Sequence, residues 1–165
     1  MRRDLGRFGD FLLNRKEVTE QDIRRAALRQ SVSERRFGEC LVAEGALEHT
    51  RMLLLLGDYL GVPVVRLAGR TVPAEVLSRV DGQVAWRYNV MPVALQRGDD
   101  GEAVLLVAME NPEDAILLER IRRHARCRVL ALLAAEVEIR EAAYRHYFPA
   151  AGASHTGRAR LALTA

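Results

Sequence analysis

Lysine is almost absent from this chain of 165 residues. Lys16 is the only one, so 24 of the 25 basic side chains are arginine. A phosphate-binding loop of the P-loop type needs a glycine-rich turn followed by lysine and then serine or threonine. Lys16 lies in a segment, residues 14–18, that contains no glycine. The sequence therefore carries no P-loop, and we do not expect the chain itself to be a P-loop NTPase.

Cysteine, histidine and long apolar runs are also scarce. Cys40 and Cys127 are far apart in sequence, and each is expected to be a core thiol rather than half of a disulfide or part of a metal site. The four histidines lack ligand spacing. The apolar runs, such as residues 52–56, are far too short to cross a bilayer, and no signal-peptide pattern follows Met1. We expect a cytoplasmic protein without a metal and without direct membrane insertion.

Signals for catalysis are equally weak. No serine, cysteine or histidine stands in a recognisable nucleophile setting, and no motif positions a pair of carboxylates. Glu110 and Asp114 are interpreted as acids at a helix start, where they favour the positive end of the helix dipole. The net charge of +3 is too small to indicate a nucleic-acid partner by itself. We expect a protein that is not an enzyme and holds no catalytic cofactor.

A direct repeat is the most informative feature that is present. The segment Arg7–Leu13 returns 29 residues later as Arg36–Val42, with Arg, Phe, Gly and Leu identical in both copies. Repeats identify the structural unit of a fold. Two copies are too few for a solenoid, so the repeat predicts a duplicated helical unit.

Two interpretations of the repeat follow from its residues. Each copy places an arginine two residues before a glycine, at a predicted helix start. Glycine lets a ligand approach the backbone, free N–H groups at a helix start bind phosphate, and arginine can form paired hydrogen bonds with phosphate or guanine. Two such copies would suit a ligand with two-fold chemical symmetry. Alternatively, Arg-Phe-Gly is a helix-packing device, with Phe in the core, Gly allowing close approach and Arg solvated; the residues alone do not decide between these.

Hydrophobic periodicity predicts an α+β fold. Helices are predicted over residues 10–14, 19–30, 33–45 and 49–59, and later over 73–78, 82–87, 111–124 and 135–147. Strands are predicted over residues 62–67, 90–95, 103–108 and 128–133. We therefore expect an N-terminal helical subdomain of two tandem helical motifs (1–60) and a small α/β subdomain with a short mixed or antiparallel sheet (61–148). Residues 149–165 are predicted to be a disordered tail or linker.

The repeat resembles a motif of the N-terminal domain of type II secretion and type IV pilus assembly ATPases, the MshEN-type domain. The family pattern is Arg-Leu-Gly-x-x-Leu-x-x-x-Gly followed by Leu and Gln, repeated after a spacer that corresponds here to Ser31–Arg35. The segments Gly61–Leu67 and Val107–Pro112 also resemble later signatures of the family. The resemblance thus covers roughly residues 7–147.

This chain departs from the family pattern at several positions. Lys16 stands in place of the glycine of the first copy, and Tyr59 in place of the glutamine of the second. Phe8 and Phe37 replace the leucine that follows each arginine.

Members of this family with the full motif bind cyclic di-GMP, one ligand lying across both copies, and others dock on an inner-membrane partner. By position, the resemblance implies ligand contacts from Arg7, Gly9, Leu12, Gln30, Arg36, Gly38, Leu41 and Gly45. It implies a non-catalytic regulatory domain that binds cyclic di-GMP and a secretion or pilus ATPase or its inner-membrane platform protein, but no nucleic acid. The alternative function is a docking module of such a system that has lost nucleotide binding.

Overall fold

Four helices form the N-terminal part of the chain in a computed structural model that describes residues 3–148, with side chains from residue 7 onward. They are α1 (Arg3–Asn14), α2 (Glu20–Ser31), α3 (Phe37–Ala43) and α4 (His49–Leu60). The prediction that the first helix begins at Asp10 was wrong, because α1 already begins at Arg3. The predicted tail, 149–165, lies outside the described residues.

Thr19 caps α2, the helix that was predicted over residues 19–30. The backbone N–H of Asp22 donates to Thr19 Oγ1 at 3.2 Å, and the backbone N–H of Thr19 donates to the Asp22 carboxylate at 2.9 Å. This reciprocal capping box satisfies two N–H groups that a helix start leaves free. The hydrogen bonds from Thr19, together with Arg25, lower the pKa of the Asp22 carboxyl to about 2. The cap therefore keeps its charge throughout the neutral pH range.

The first four helices, which we call the helical half (residues 7–60), have a hydrophobic core of their own. Phe8 and Leu12 of α1 are buried in it, and so are their repeat equivalents Phe37 and Leu41 of α3. The two copies of the repeat thus contribute matching side chains to one core, as a duplicated helical unit requires.

The rest of the described chain, which we call the sheet half (residues 61–148), contains four helices and three strands. They are α5 (Ala74–Leu77), α6 (Gly82–Tyr88), β1 (Val90–Arg97), β2 (Ala103–Met109), α7 (Ala115–Ala125), β3 (Arg128–Leu133) and α8 (Glu136–Tyr147). The sheet order is β1-β2-β3, with β1 antiparallel and β3 parallel to β2. A second hydrophobic cluster fills this half. The predicted α+β fold with a short mixed sheet is confirmed.

The strand predicted over 62–67 was largely wrong. Only an isolated parallel bridge forms there, between Val64 and Leu133. The chain then leaves the sheet, because the Leu67 N–H and the Arg66 side chain both donate to the Glu138 carboxylate of α8, at 2.7 and 2.8 Å. Those hydrogen bonds hold residues 66–67 against a helix rather than a strand.

The two halves meet in a small apolar cluster. Leu53 of α4 packs there with Leu133 and Ala135, beside the Val64 bridge. Within residues 3–148, no helix combines the length and the apolar character needed to cross a membrane. The division of the chain into separate domains at residue 60 stays a prediction.

Candidate ligand site in the repeat

Gly9 and Gly38 occupy equivalent places in the two copies of the repeat. A Cβ atom added to Gly9 would lie 3.6 Å from Cδ1 of Ile23, and one added to Gly38 would lie 2.6 Å from Sδ of Met52. Ile23 and Met52 are themselves separated by 29 residues, so each glycine packs its helix against the same position of the next helix. Close packing therefore explains the glycine at 38. At 9 the packing leaves room for a methyl group, so packing alone does not require glycine there.

This difference predicts opposite effects of alanine at the two positions. Gly9→Ala is expected to raise the free energy of unfolding by about 0.5–1 kcal/mol, because alanine favours a helix and fits the available space. Alanine favours the helix at position 38 as well, but its methyl group must displace the buried Met52 thioether. We therefore expect Gly38→Ala to lower the free energy of unfolding by about 1 kcal/mol. Denaturant titration of both variants measures the difference. A strongly destabilised Gly9→Ala would mean that α1 and α2 pack more closely than the 3.6 Å distance to Ile23 indicates.

Lys16 adopts the backbone geometry of the glycine that it replaces. Its φ is 58°, and φ at the equivalent Gly45 is 71°, both in the left-handed region. The following hydrogen bonds match as well, since Glu17 N–H donates to Leu12 O and Ala46 N–H donates to Leu41 O, each at 3.0 Å. Such left-handed residues commonly end helices. The motif glycine therefore serves the turn, and Lys16 preserves that turn while adding an exposed positive charge.

Lys16→Gly is expected to raise the free energy of unfolding by about 1 kcal/mol, because a left-handed conformation is strained for lysine but not for glycine. Gly45→Lys is the matched reciprocal variant and is expected to lower stability by a similar amount. Thermal and denaturant unfolding of the pair tests this prediction. Equal stability of Lys16→Gly and the parent chain would argue against the left-handed turn at residue 16.

The two arginines of the repeat differ in their helical positions. Arg7 is exposed in the middle of α1, so the nearby Gly9 N–H lies beyond the first turn and is not a free donor. The prediction of a helix start at the first copy was therefore wrong. Arg36 is the N-cap residue of α3, and its backbone N–H donates to Glu39 Oε2 at 3.2 Å. Only the second copy begins a helix at its arginine.

The remaining predicted contacts fall into two groups. Gln30 is half-buried, and its side-chain amide donates to the Arg35 carbonyl at 3.3 Å, beside the second arginine of the motif. Leu12 and Leu41 have no exposed surface at all. They support the helices from inside the core, and direct contact between these leucines and a ligand stays a prediction that requires movement of their neighbours.

Tyr59, which replaces the second motif glutamine, belongs to an aromatic cluster. Its ring centroid lies 5.1 Å from that of Phe8 and 5.3 Å from that of Phe11. Arg15 stacks on the Phe11 ring at 4.5 Å and pairs with Asp58 at 2.7 Å. Tyr59 therefore stabilises the contact between α1 and α4, which gives this departure from the motif a structural role.

Sequence reasoning missed Glu110. It was interpreted as a helix-start acid, but its Oε1 lies 2.8 Å from Arg36 Nη1, across the junction between the two halves. Burial raises the pKa of the Glu110 carboxyl, and Arg36 opposes this shift. No sequence signal marks the pair, because its partners belong to different halves of the chain.

An α+β domain with a duplicated helical half is the class that this structure defines, and comparison with known proteins assigns the family. Residues 60–153 match the model of the MshEN domain. The chain therefore belongs to the MshEN domain family. The matched range starts after the repeat, so the eight predicted contact residues lie outside it.

Two curated relatives are type IV pilus assembly ATPases named PilB. The PilB of Myxococcus xanthus is 29% identical over 142 residues, which is 86% of this chain and 24% of that protein. The PilB of Thermus thermophilus is 30% identical over 115 residues, or 70% of this chain and 13% of that protein. The chain thus spans a quarter or less of the length of these relatives.

Two solved structures share the fold over nearly the whole described chain. A structure of MshE with cdg (cyclic di-GMP) is 25% identical with a TM-score of 0.71, and the match covers 85% of this chain and 98% of that one. The N-terminal domain of XpsE is 17% identical with a TM-score of 0.59, over 86% and 94% of the two chains. The second likeness concerns the fold alone.

Proposed function

We propose that this chain is a non-catalytic, cytoplasmic cyclic di-GMP receptor domain associated with a type IV pilus or type II secretion ATPase. The observation that carries the proposal is the likeness to MshE with cyclic di-GMP, at 25% identity over a shared fold. It is supported by the repeat itself, in which both arginines are exposed. The partner regulated by the ligand would be the ATPase or its inner-membrane platform protein.

The chemistry of the ligand matches the duplication of the site. Cyclic di-GMP has two equivalent phosphates and two guanines, and a guanidinium can form paired hydrogen bonds with a phosphate or with the acceptor edge of guanine. Arg7 and Arg36 each supply one such group without being buried. Lys16 adds a third positive charge at an exposed turn of the first copy. One ligand bridging both copies would fix the relative position of α1 and α3 and so bias a downstream partner.

A competition assay tests selectivity. Fluorescently labelled cyclic di-GMP is bound to the purified chain and then challenged with unlabelled nucleotides. We expect unlabelled cyclic di-GMP to displace the probe, whereas GTP and cyclic di-AMP, which lack two linked guanines, should not. Equal displacement by GTP would mean that the site binds anions in general. If the probe did not bind at all, the proposed receptor function would be refuted.

The second candidate function is protein docking without the nucleotide. It is favoured by two large apolar side chains that α2 and its cap expose, Leu28 at 70% and Val32 at 81%. In a binding assay with the platform protein or the ATPase, the double variant Leu28→Ser/Val32→Ser should lose capture if this surface docks a partner. Capture that depends on added cyclic di-GMP would instead support the receptor function.

A further inference from the structure

One ion pair joins the two halves of the molecule at the second copy of the repeat. Arg36 Nη1 lies 2.8 Å from Oε1 of Glu110, which follows β2. Among residues 7–148, no other ion pair links the helical half to the sheet half. Arg36, which is proposed to bind a phosphate or guanine, is therefore already paired with a carboxylate of the sheet half.

The negative charge of Glu110 is stabilised mainly by Arg36. Glu39 of α3 and Glu136 of α8 both repel the Glu110 charge, whereas Arg36 attracts it. The nearby Asn89 amide also favours the charged form of Glu110. Among the described residues, however, no acceptor lies in hydrogen-bonding geometry to Asn89 Nδ2. The Glu110 side chain is only 28% exposed. Removing Arg36 would leave a half-buried carboxylate facing two others, which is unfavourable.

We propose that Glu110 competes with cyclic di-GMP for the Arg36 guanidinium, so that ligand binding breaks the ion pair between the two halves. This inference rests on the proposed receptor function and assigns its regulation. The ligand-free state is then held by Arg36–Glu110, and the bound state exchanges that pair for a contact between Arg36 and the ligand. Because Arg36 has a different partner in each state, ligand binding is coupled to the contact between the two halves.

Proton uptake is the expected signature of this exchange. Burial already raises the pKa of Glu110, and only the nearby Arg36 and Asn89 lower it. When Arg36 turns to the ligand, that pKa must rise further, so binding takes up a proton. Because the protonated carboxyl no longer holds Arg36, affinity should increase as pH falls toward the raised pKa of Glu110. The phosphodiesters of the ligand stay charged over this range and add no such dependence.

The test compares the parent chain with Glu110→Gln and a matched control, Glu113→Gln, which removes an exposed carboxylate nearby. Calorimetric titrations with cyclic di-GMP in buffers of different ionisation enthalpy, between pH 8 and pH 5, give affinity and proton uptake together. We expect Glu110→Gln to bind about three- to tenfold more tightly, as expected for release of a partly exposed ion pair, with no net proton uptake. Glu113→Gln should behave as the parent chain does.

The outcomes separate this inference from the receptor proposal. Binding by the parent chain without proton uptake, and with unchanged affinity in Glu110→Gln, would overturn the competition and leave the receptor intact. Binding by Glu110→Gln when the parent chain binds weakly or not at all would support the competition strongly. No binding by either chain would overturn both. The proton uptake of the parent chain needs no variant, so the test does not depend on the folding of Glu110→Gln.

Discussion

Replacing Arg36 with alanine is expected to lower the affinity for cyclic di-GMP by at least about 30-fold, because a bridging ligand would cover the arginine, and truncating one partner of a buried hydrogen-bonded charge pair typically costs about 2–5 kcal/mol. Arg7→Ala should have an effect of similar size, since the two-fold ligand would use the equivalent arginine of the other copy. Arg7 is exposed, so Arg7→Ala should keep its stability. Arg36→Ala leaves Glu110 without its ion-pair partner, so we expect a modest loss of stability but a retained fold, because the pair is partly exposed. Calorimetric titration with cyclic di-GMP measures the affinities, and thermal unfolding checks the fold.

Arg35→Ala provides the matched control for the Arg36 variant. Arg35 is an exposed neighbour with the same charge, but it lies outside the repeated motif. Its replacement should change affinity by no more than a small electrostatic effect. If Arg35→Ala and Arg36→Ala weakened binding equally, the site would be a diffuse basic surface. Unchanged affinity in both Arg7→Ala and Arg36→Ala would refute the assignment of the motif arginines.

Leu12→Ala and Leu41→Ala are each expected to lower the free energy of unfolding by about 2–5 kcal/mol. Both side chains are fully buried, and truncation leaves a cavity that the surrounding helices fill only in part. The two residues hold the same place in the two copies of the repeat, so their costs should be similar. Denaturant titration followed by circular dichroism gives the stability of each variant.

Leu28→Ala is the control for this pair, because Leu28 is 70% exposed on α2. Its replacement should change stability by no more than about 0.5 kcal/mol. A small loss of stability in Leu12→Ala or Leu41→Ala would mean that these leucines are not core residues in solution. It would favour their predicted role as ligand contacts. Nucleotide affinity of the folded fraction then distinguishes a core residue from a contact residue.

Local signals in the sequence predicted much of the fold. The start of α2 was predicted at Thr19, its N-cap, because the capping box that begins the helix is formed by residues close in sequence. β3 was predicted with its observed bounds, Arg128–Leu133, because a run of apolar residues follows a helix end there. The duplication of the helices also followed from the sequence, since Phe8 and Phe37 keep matching buried positions.

Features that depend on distant residues could not be predicted. Residues 62–67 have the composition of a strand, but the contact of Arg66 and Leu67 with Glu138 draws them away from the sheet. The Arg36–Glu110 pair likewise joins residues from different halves. The sequence marked Lys16 only as a departure from the motif glycine, and its left-handed backbone became evident only in the structure. The composition of a segment does not contain this tertiary information.

The central claim is that one cyclic di-GMP molecule bridges both copies of the repeat, and the stoichiometry of binding tests it most directly. Calorimetric titration of the purified chain with cyclic di-GMP should give one ligand per chain with an affinity in the micromolar range or tighter. Arg7→Ala and Arg36→Ala should each remove that single binding event. Two independent ligands per chain, with each arginine variant losing only one of them, would contradict a bridging site, and no heat of binding under any condition would contradict the receptor function itself.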